Sequence, residues 1–142
     1  MENFKDCQLS ELLKPCLISS YDIERRKANF FARIDSQKYP AEDYFIKDIA
    51  RATSAAPSYF ELSKIYSLTK ESYALIDGGV FANNPALCVY AEVRNKFIIP
   101  DHRQDRSPTA KDMVILSLEE KLRKIFLTKK QKIGVKLSGL SL

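Results

Sequence analysis

The sequence of 142 residues predicts an α/β fold with a mainly parallel sheet and one hairpin, and three observations carry that reading. Two short apolar runs, residues 73–76 and 113–118, flank a helical stretch from about Pro85 to Lys96, which is the pattern of a β-α-β unit. Residues 15–21 and 28–34 are also strand-like. The charged segment between them, Asp22-Ile-Glu-Arg-Arg-Lys27, is too short for a crossover helix, so the two should pair as a hairpin. From Ala41 through Ser54, the residues Tyr44, Phe45, Ile49 and Ala52 recur at helical spacing, which predicts a helix with one face against the sheet.

In chain order, a short helical turn is expected at residues 9–13, ahead of the hairpin. The helix over 41–54 runs into small residues, Thr53-Ser-Ala-Ala-Pro57. The strand at 73–76 leads into Asp77-Gly78-Gly79, where glycine opens backbone angles closed to other residues. Asn83 or Asn84 then serves as the N-cap of a helix whose first residue is Pro85. A carboxylate at a strand end over a helix start is well placed for base chemistry, although an Asp-Gly-Gly turn can also merely cap a strand. Residues 99–108 are polar and proline-bearing, as a surface loop would be. After Leu118 the chain turns lysine-rich without an apolar period.

Composition narrows the chemistry. The chain is long enough for one core. The net charge of +5 invites a nucleic-acid reading, but residues 1–118 carry 16 basic and 16 acidic side chains while residues 119–142 carry 7 and 2. The excess lies in the tail, where a solvated face accounts for it better than a nucleic-acid surface does. No apolar run is long enough for a membrane span, and Met1-Glu-Asn-Phe-Lys lacks the pattern of a secretory signal, so the chain as given reads as cytoplasmic. Cys7, Cys16 and Cys88 are odd in number and form no C-x-x-C pair, which suggests neither a disulfide framework nor a zinc site. His102, the only histidine, stands in the polar loop. A Ser-His-Asp triad or a multi-histidine metal site is therefore not expected, nor is any cofactor. Catalysis would have to rest on a carboxylate base.

Three blocks of the chain, in order, resemble the C-terminal part of a patatin-like phospholipase domain. They are residues 9–22 (LSELLKPCLISSYD) with Phe30 and Phe31 after them, residues 49–60 (IARATSAAPSYF), and residues 76–87 (IDGGVFANNPAL). The resemblance runs from about Leu9 to Leu118 and implies part of a three-layer α/β/α domain over residues 1–118. The family it points to hydrolyses acyl lipids with a Ser/Asp dyad and no histidine. By the resemblance, Asp77 would be the general base, Gly78 would give the turn that aims its carboxylate, and the segment from Ser54 to Pro57 would pack small side chains close to the site. A carboxylate with an ordinary pKa near ~3.9 is a weak base at neutral pH, so such a dyad depends on close geometry and burial.

The chain departs from the family pattern in two places. The glycines are Gly78, Gly79, Gly134 and Gly139, and no two bracket a serine as in the G-x-S-x-G nucleophile elbow. The glycine-rich loop that would form the oxyanion hole is missing as well. Second, the strand ending at Leu118 is followed by Glu119-Glu-Lys rather than Gly-Thr-Gly, and the chain has no tryptophan. A frameshift near Leu118 would produce that break. Residues 119–142 are therefore expected to be a basic, disordered tail, and a gene with no tryptophan codon in either alternative frame there would exclude the frameshift. The expectation is a truncated lipid acyl hydrolase, inactive alone, whose substrate class is membrane phospholipid or another acyl lipid. A separate upstream polypeptide could carry the serine. The competing expectation is a non-catalytic module that binds lipid or a protein partner.

Overall fold

A computed structural model describes residues 6–82, 84–100 and 104–118, together with the backbone of 125–126. The chain divides into two compact units, Met1–Asn84 and Pro85–Leu142.

In the first unit, β1 (Leu17–Asp22) and β2 (Lys27–Ala32) form the expected hairpin, with Ser19 opposite Phe30 and Asp22 opposite Lys27. Asp22 closes it. Its carboxylate is 0% exposed and accepts the backbone N–H groups of Glu24 (3.0 Å) and Arg25 (2.9 Å), plus the Arg25 guanidinium at 2.8 Å. Burial alone would raise its pKa. The Arg25 backbone and guanidinium, with the Glu24 N–H, outweigh that and hold the carboxyl below its usual range. Arg25 also donates to the Ser72 carbonyl and lies 4.4 Å over the Tyr73 ring, which ties the hairpin turn to the next strand.

β2 ends earlier than the sequence suggests, because Arg33 and Ile34 open a short helix, α1 (Arg33–Lys38). The helix expected over residues 41–54 is also shorter, α2 (Ile46–Thr53). Pro40 starts a 3-10 turn, Pro40–Glu42, and the backbone after it bonds to distant segments. The Tyr44 carbonyl accepts Leu9 N–H (2.9 Å), the Asp43 carbonyl accepts Leu68 N–H (3.0 Å), and Ile46 N–H donates to Cys7 (2.9 Å). The turn Leu9–Glu11 lies near its expected place, with Leu9 buried.

Two strands complete the sheet, β3 (Ser63–Tyr66), which the sequence reading passes over, and β4 (Ser72–Asp77). The strand order is β2-β1-β4-β3, and every pairing is antiparallel. This overturns the expected mainly parallel sheet. The link between β3 and β4, residues 67–71, is too short for a parallel crossover. β4 misleads because it is central: Leu75 is 0% exposed and Ala74 4%, so both faces are covered and the run reads as apolar whichever way its neighbours point. The core lies where Ile46, Ile49 and Ala52 of α2 meet Phe31, Ile65 and Leu75 of the sheet, with Leu9 and Tyr44 completing it.

In the second unit, α3 (Pro85–Lys96) begins at Pro85 as expected. Ile99 and Arg106 bridge across the base of the polar loop, and Arg106 grips Asp112 with two bonds of 2.7 and 2.9 Å. Asp112 also accepts the Thr109 N–H and hydroxyl, and these donors, the Arg106 guanidinium foremost, hold its carboxyl well below the usual range. The strand expected at 113–118 narrows to β5 (Ile115–Leu116), which pairs antiparallel with β6 (Ile125–Phe126) rather than joining β4 in a β-α-β unit. His102 and the remainder of the 119–142 tail lie outside the described residues. Among the described residues no helix is long and apolar enough to cross a membrane.

Candidate active site

β4 delivers Asp77 to its C-terminal end, half-buried. The strand pairs with β1 there, Ser20 standing opposite Asp77, and the Asp77 N–H donates to the Ala55 carbonyl at 3.0 Å. That carbonyl is available because α2 stops at Thr53. The Ser54 hydroxyl turns back to the Ala50 and Arg51 carbonyls (2.8 and 3.2 Å), and the chain then places Ala55 fully buried. Within the small-residue segment, the backbone contact with the aspartate comes from Ala55. Ser54 and Pro57 themselves are exposed, and Ser54 acts as the C-cap of α2.

Beyond Asp77 the chain turns through a 3-10 segment, Gly78–Val80, and the Asp77 carboxylate caps it, Oδ1 accepting the Gly79 N–H at 2.9 Å. The two glycines do different work from that expected. Neither adopts a left-handed φ. At Gly78 the reason is space, since a Cβ there would lie 2.3 Å from Ser19 Oγ, 2.5 Å from its Cβ and 2.6 Å from its carbonyl carbon. At Gly79 a Cβ would meet nothing nearer than the Asp77 carboxylate oxygens at 3.5 Å, an ordinary contact.

Ser19 is fixed in turn, its carbonyl accepting the Thr53 hydroxyl at 2.8 Å. Next to it, Ser20 is fully buried, and its hydroxyl accepts from Asn29 Nδ2 at 3.1 Å. Phe81 closes the turn on the other side, its ring 5.6 Å from Phe30 and 6.0 Å from Tyr21. Asp77 is thus held by its own N–H, by Oδ1, and by the packing of the residue after it. Among the described residues no donor reaches Oδ2, so the carboxylate keeps one oxygen for a proton. Asn84 directly precedes α3, while Asn83 lies outside the described residues.

Thr53 and Ser19 are the contributors that sequence reasoning missed. Thr53 falls inside the second motif block and Ser19 inside the first, so the signal was the co-occurrence of the blocks. Among the described residues no group of three or more His, Cys, Asp or Glu is placed to hold a metal ion. Cys7, Cys16 and Cys88 are free thiols, and burial pushes Cys16 up.

The family model described as patatin-like phospholipase matches residues 2–89. Patatin-like protein 2 of Arabidopsis thaliana is 40% identical over 96 residues, covering 64% of this chain and 23% of the relative. Patatin-like protein 2 of Oryza sativa subsp. indica is 34% identical over 109 residues, covering 73% and 26%. Probable inactive patatin-like protein 9 of Arabidopsis thaliana is 30% identical over 119 residues, covering 82% and 30%. The chain spans about a quarter of the length of the first two relatives.

Proposed function

The chain belongs to the patatin-like phospholipase family, and we propose that it provides the base half of a Ser/Asp dyad that hydrolyses acyl esters of membrane phospholipids or other acyl lipids. Asp77 is the base. One observation carries the reading: the carboxylate is held by Gly79 N–H on Oδ1 and by Ala55 on its backbone, leaving Oδ2 to accept a serine hydroxyl proton. The freed serine oxygen would attack the ester carbonyl, and the proton would pass from Asp77 to the departing alcohol. Water, deprotonated by the same carboxylate, would then attack the acyl-serine carbonyl, releasing the fatty acid while the proton returns from Asp77 to the serine oxygen.

The serine belongs to a G-x-S-x-G turn that these 142 residues do not contain, so the chain by itself is inactive as a hydrolase and acts together with a region or separate polypeptide that carries the turn. Purified chain assayed on a phospholipid or a short p-nitrophenyl ester should show no turnover sensitive to Asp77→Ala. Co-expression with a polypeptide carrying the G-x-S-x-G turn should restore hydrolysis, and Asp77→Asn should reduce it by about 100-fold or more, the scale of general-base catalysis. Restored hydrolysis that is indifferent to Asp77→Asn would defeat the assignment.

A further inference from the structure

We propose that Thr53 is a positioning residue for the base: its hydroxyl fixes the end of β1 against which the Asp77 turn is aimed. β1 and β4 pair only as far as Ser20 opposite Asp77. One step further the same register sets Gly78 opposite Ser19, but the chain has left the sheet there for the 3-10 segment. β3 stops short as well, its last pair being Ser63 opposite Leu75, two residues before Asp77. The base therefore stands where the ladder ends on both sides of its strand.

The exit of α2 supplies the bonds that the sheet no longer makes. The Ala55 carbonyl takes the Asp77 N–H (3.0 Å), and the Thr53 hydroxyl donates to the Ser19 carbonyl (2.8 Å), so residues 53–55 hold the ends of β4 and β1 together. A hydroxyl near a helix end ordinarily bonds back to a carbonyl of its own helix, as Ser54 does to Ala50 and Arg51. Thr53 reaches instead to a strand 34 residues away in the sequence.

That bond bears on the carboxylate through Gly78. Gly78 packs on the Ser19 side chain and backbone with no room for a Cβ, so the position of Ser19 sets the position of the turn. The Asp77 carboxylate follows, because its Oδ1 is tied to Gly79 inside that turn. Without the Thr53 hydroxyl the Ser19 carbonyl loses this donor, and β1 can draw away from Gly78. A base must lie within hydrogen-bond reach of the proton it takes, so a small change of aim is felt in proton transfer and not in substrate binding. The inference rests on the reading of Asp77 as the base.

Native-state hydrogen exchange and the Gly79 amide proton shift of the full chain test the role without a second polypeptide. In Thr53→Val the protection of the Asp77 amide should fall about fivefold further than that of the Leu75 amide, the weight of one hydrogen bond. The change in the Gly79 amide shift on acidification, which a charged Oδ1 acceptor produces, should shrink. Thr53→Ser should restore both signals, and Thr53→Ala, which also lacks the hydroxyl, should lose both. Ile65→Val, a core change of similar cost to stability, should lower Asp77 and Leu75 protection by one common factor. Equal losses at Asp77 and Leu75 in Thr53→Val, or no rescue by serine, would overturn the positioning role. In the restored hydrolysis Thr53→Val should lower kcat about tenfold with KM unchanged. An unchanged kcat beside Asp77-dependent turnover would overturn the positioning role alone. Exchange that follows Thr53 as expected, beside hydrolysis indifferent to Asp77→Asn, would sink the base reading alone.

Discussion

Asp77 depends on two glycines that the structure separates sharply. Gly78 lies against Ser19 so closely that a methyl group would meet both its side chain and its backbone, and backbone cannot swing aside. Gly78→Ala should therefore destabilise the chain by about 1–3 kcal/mol, the range of overpacking, and Gly79→Ala should change stability by no more than ~0.5 kcal/mol. Urea unfolding of the two variants side by side checks this, and equal effects would contradict it. Asp22 gives a second prediction at this scale. Its folded pKa is lowered, so its contribution is present above the ordinary carboxyl pKa and is lost as pH falls through the folded value. Asp22→Asn should cost about 1–3 kcal/mol at neutral pH, because it weakens the bonds from Arg25 and Glu24, and the cost should shrink on acidification. Melting temperatures from neutral to acid pH measure it, and a cost that grows toward acid would refute the sign.

Elements formed by local chemistry were legible in the sequence. The β1–β2 hairpin could be read because Asp22 and the charged turn lie between its strands, and the start of α3 because Pro85 marks it. What could not be read depends on distant partners. The first residues expected of α2 instead close a 3-10 turn, and the Asp43 and Tyr44 carbonyls and the Ile46 N–H that follow are engaged by Leu68, Leu9 and Cys7. β4 gave no sign of its direction, since a strand covered on both faces looks the same paired either way. The site divides likewise: Asp77 could be picked out from its motif, but the crowding of Gly78 by Ser19 arises only when β1 and β4 are adjacent. Thr53 makes that adjacency testable, because its hydroxyl joins the last turn of α2 to the β1 carbonyl that flanks Gly78. Thr53→Val keeps the shape and removes the bond, and should cost about 1 kcal/mol. Combined with Gly78→Ala, it should cost less than the two changes add up to, because a released β1 can give way to the new methyl. A strictly additive double variant would show that Thr53 does not hold Ser19 in place.

At the scale of the whole molecule, the core and the candidate base fall on the same side of the division at Asn84. Leu9, Phe31, Tyr44, Ile49, Ile65 and Leu75, with every residue that holds Asp77, lie in the first unit. The second unit has a different character among its described residues: α3 buries only Ala86, and much of its local order comes from the exposed grip of Arg106 on Asp112. Exposed ion pairs contribute little, whereas a packed core sets the cooperativity of unfolding. Arg106→Ala should therefore leave the main thermal transition of the full chain nearly unmoved, and Ile49→Ala, which opens a cavity under the sheet, should lower stability by about 2–5 kcal/mol. Hydrogen exchange resolves the same division by residue: amides of β1 and β4 should exchange only with global unfolding, and those of α3 well before it. If α3 were protected as strongly as β4, the two units would unfold as one.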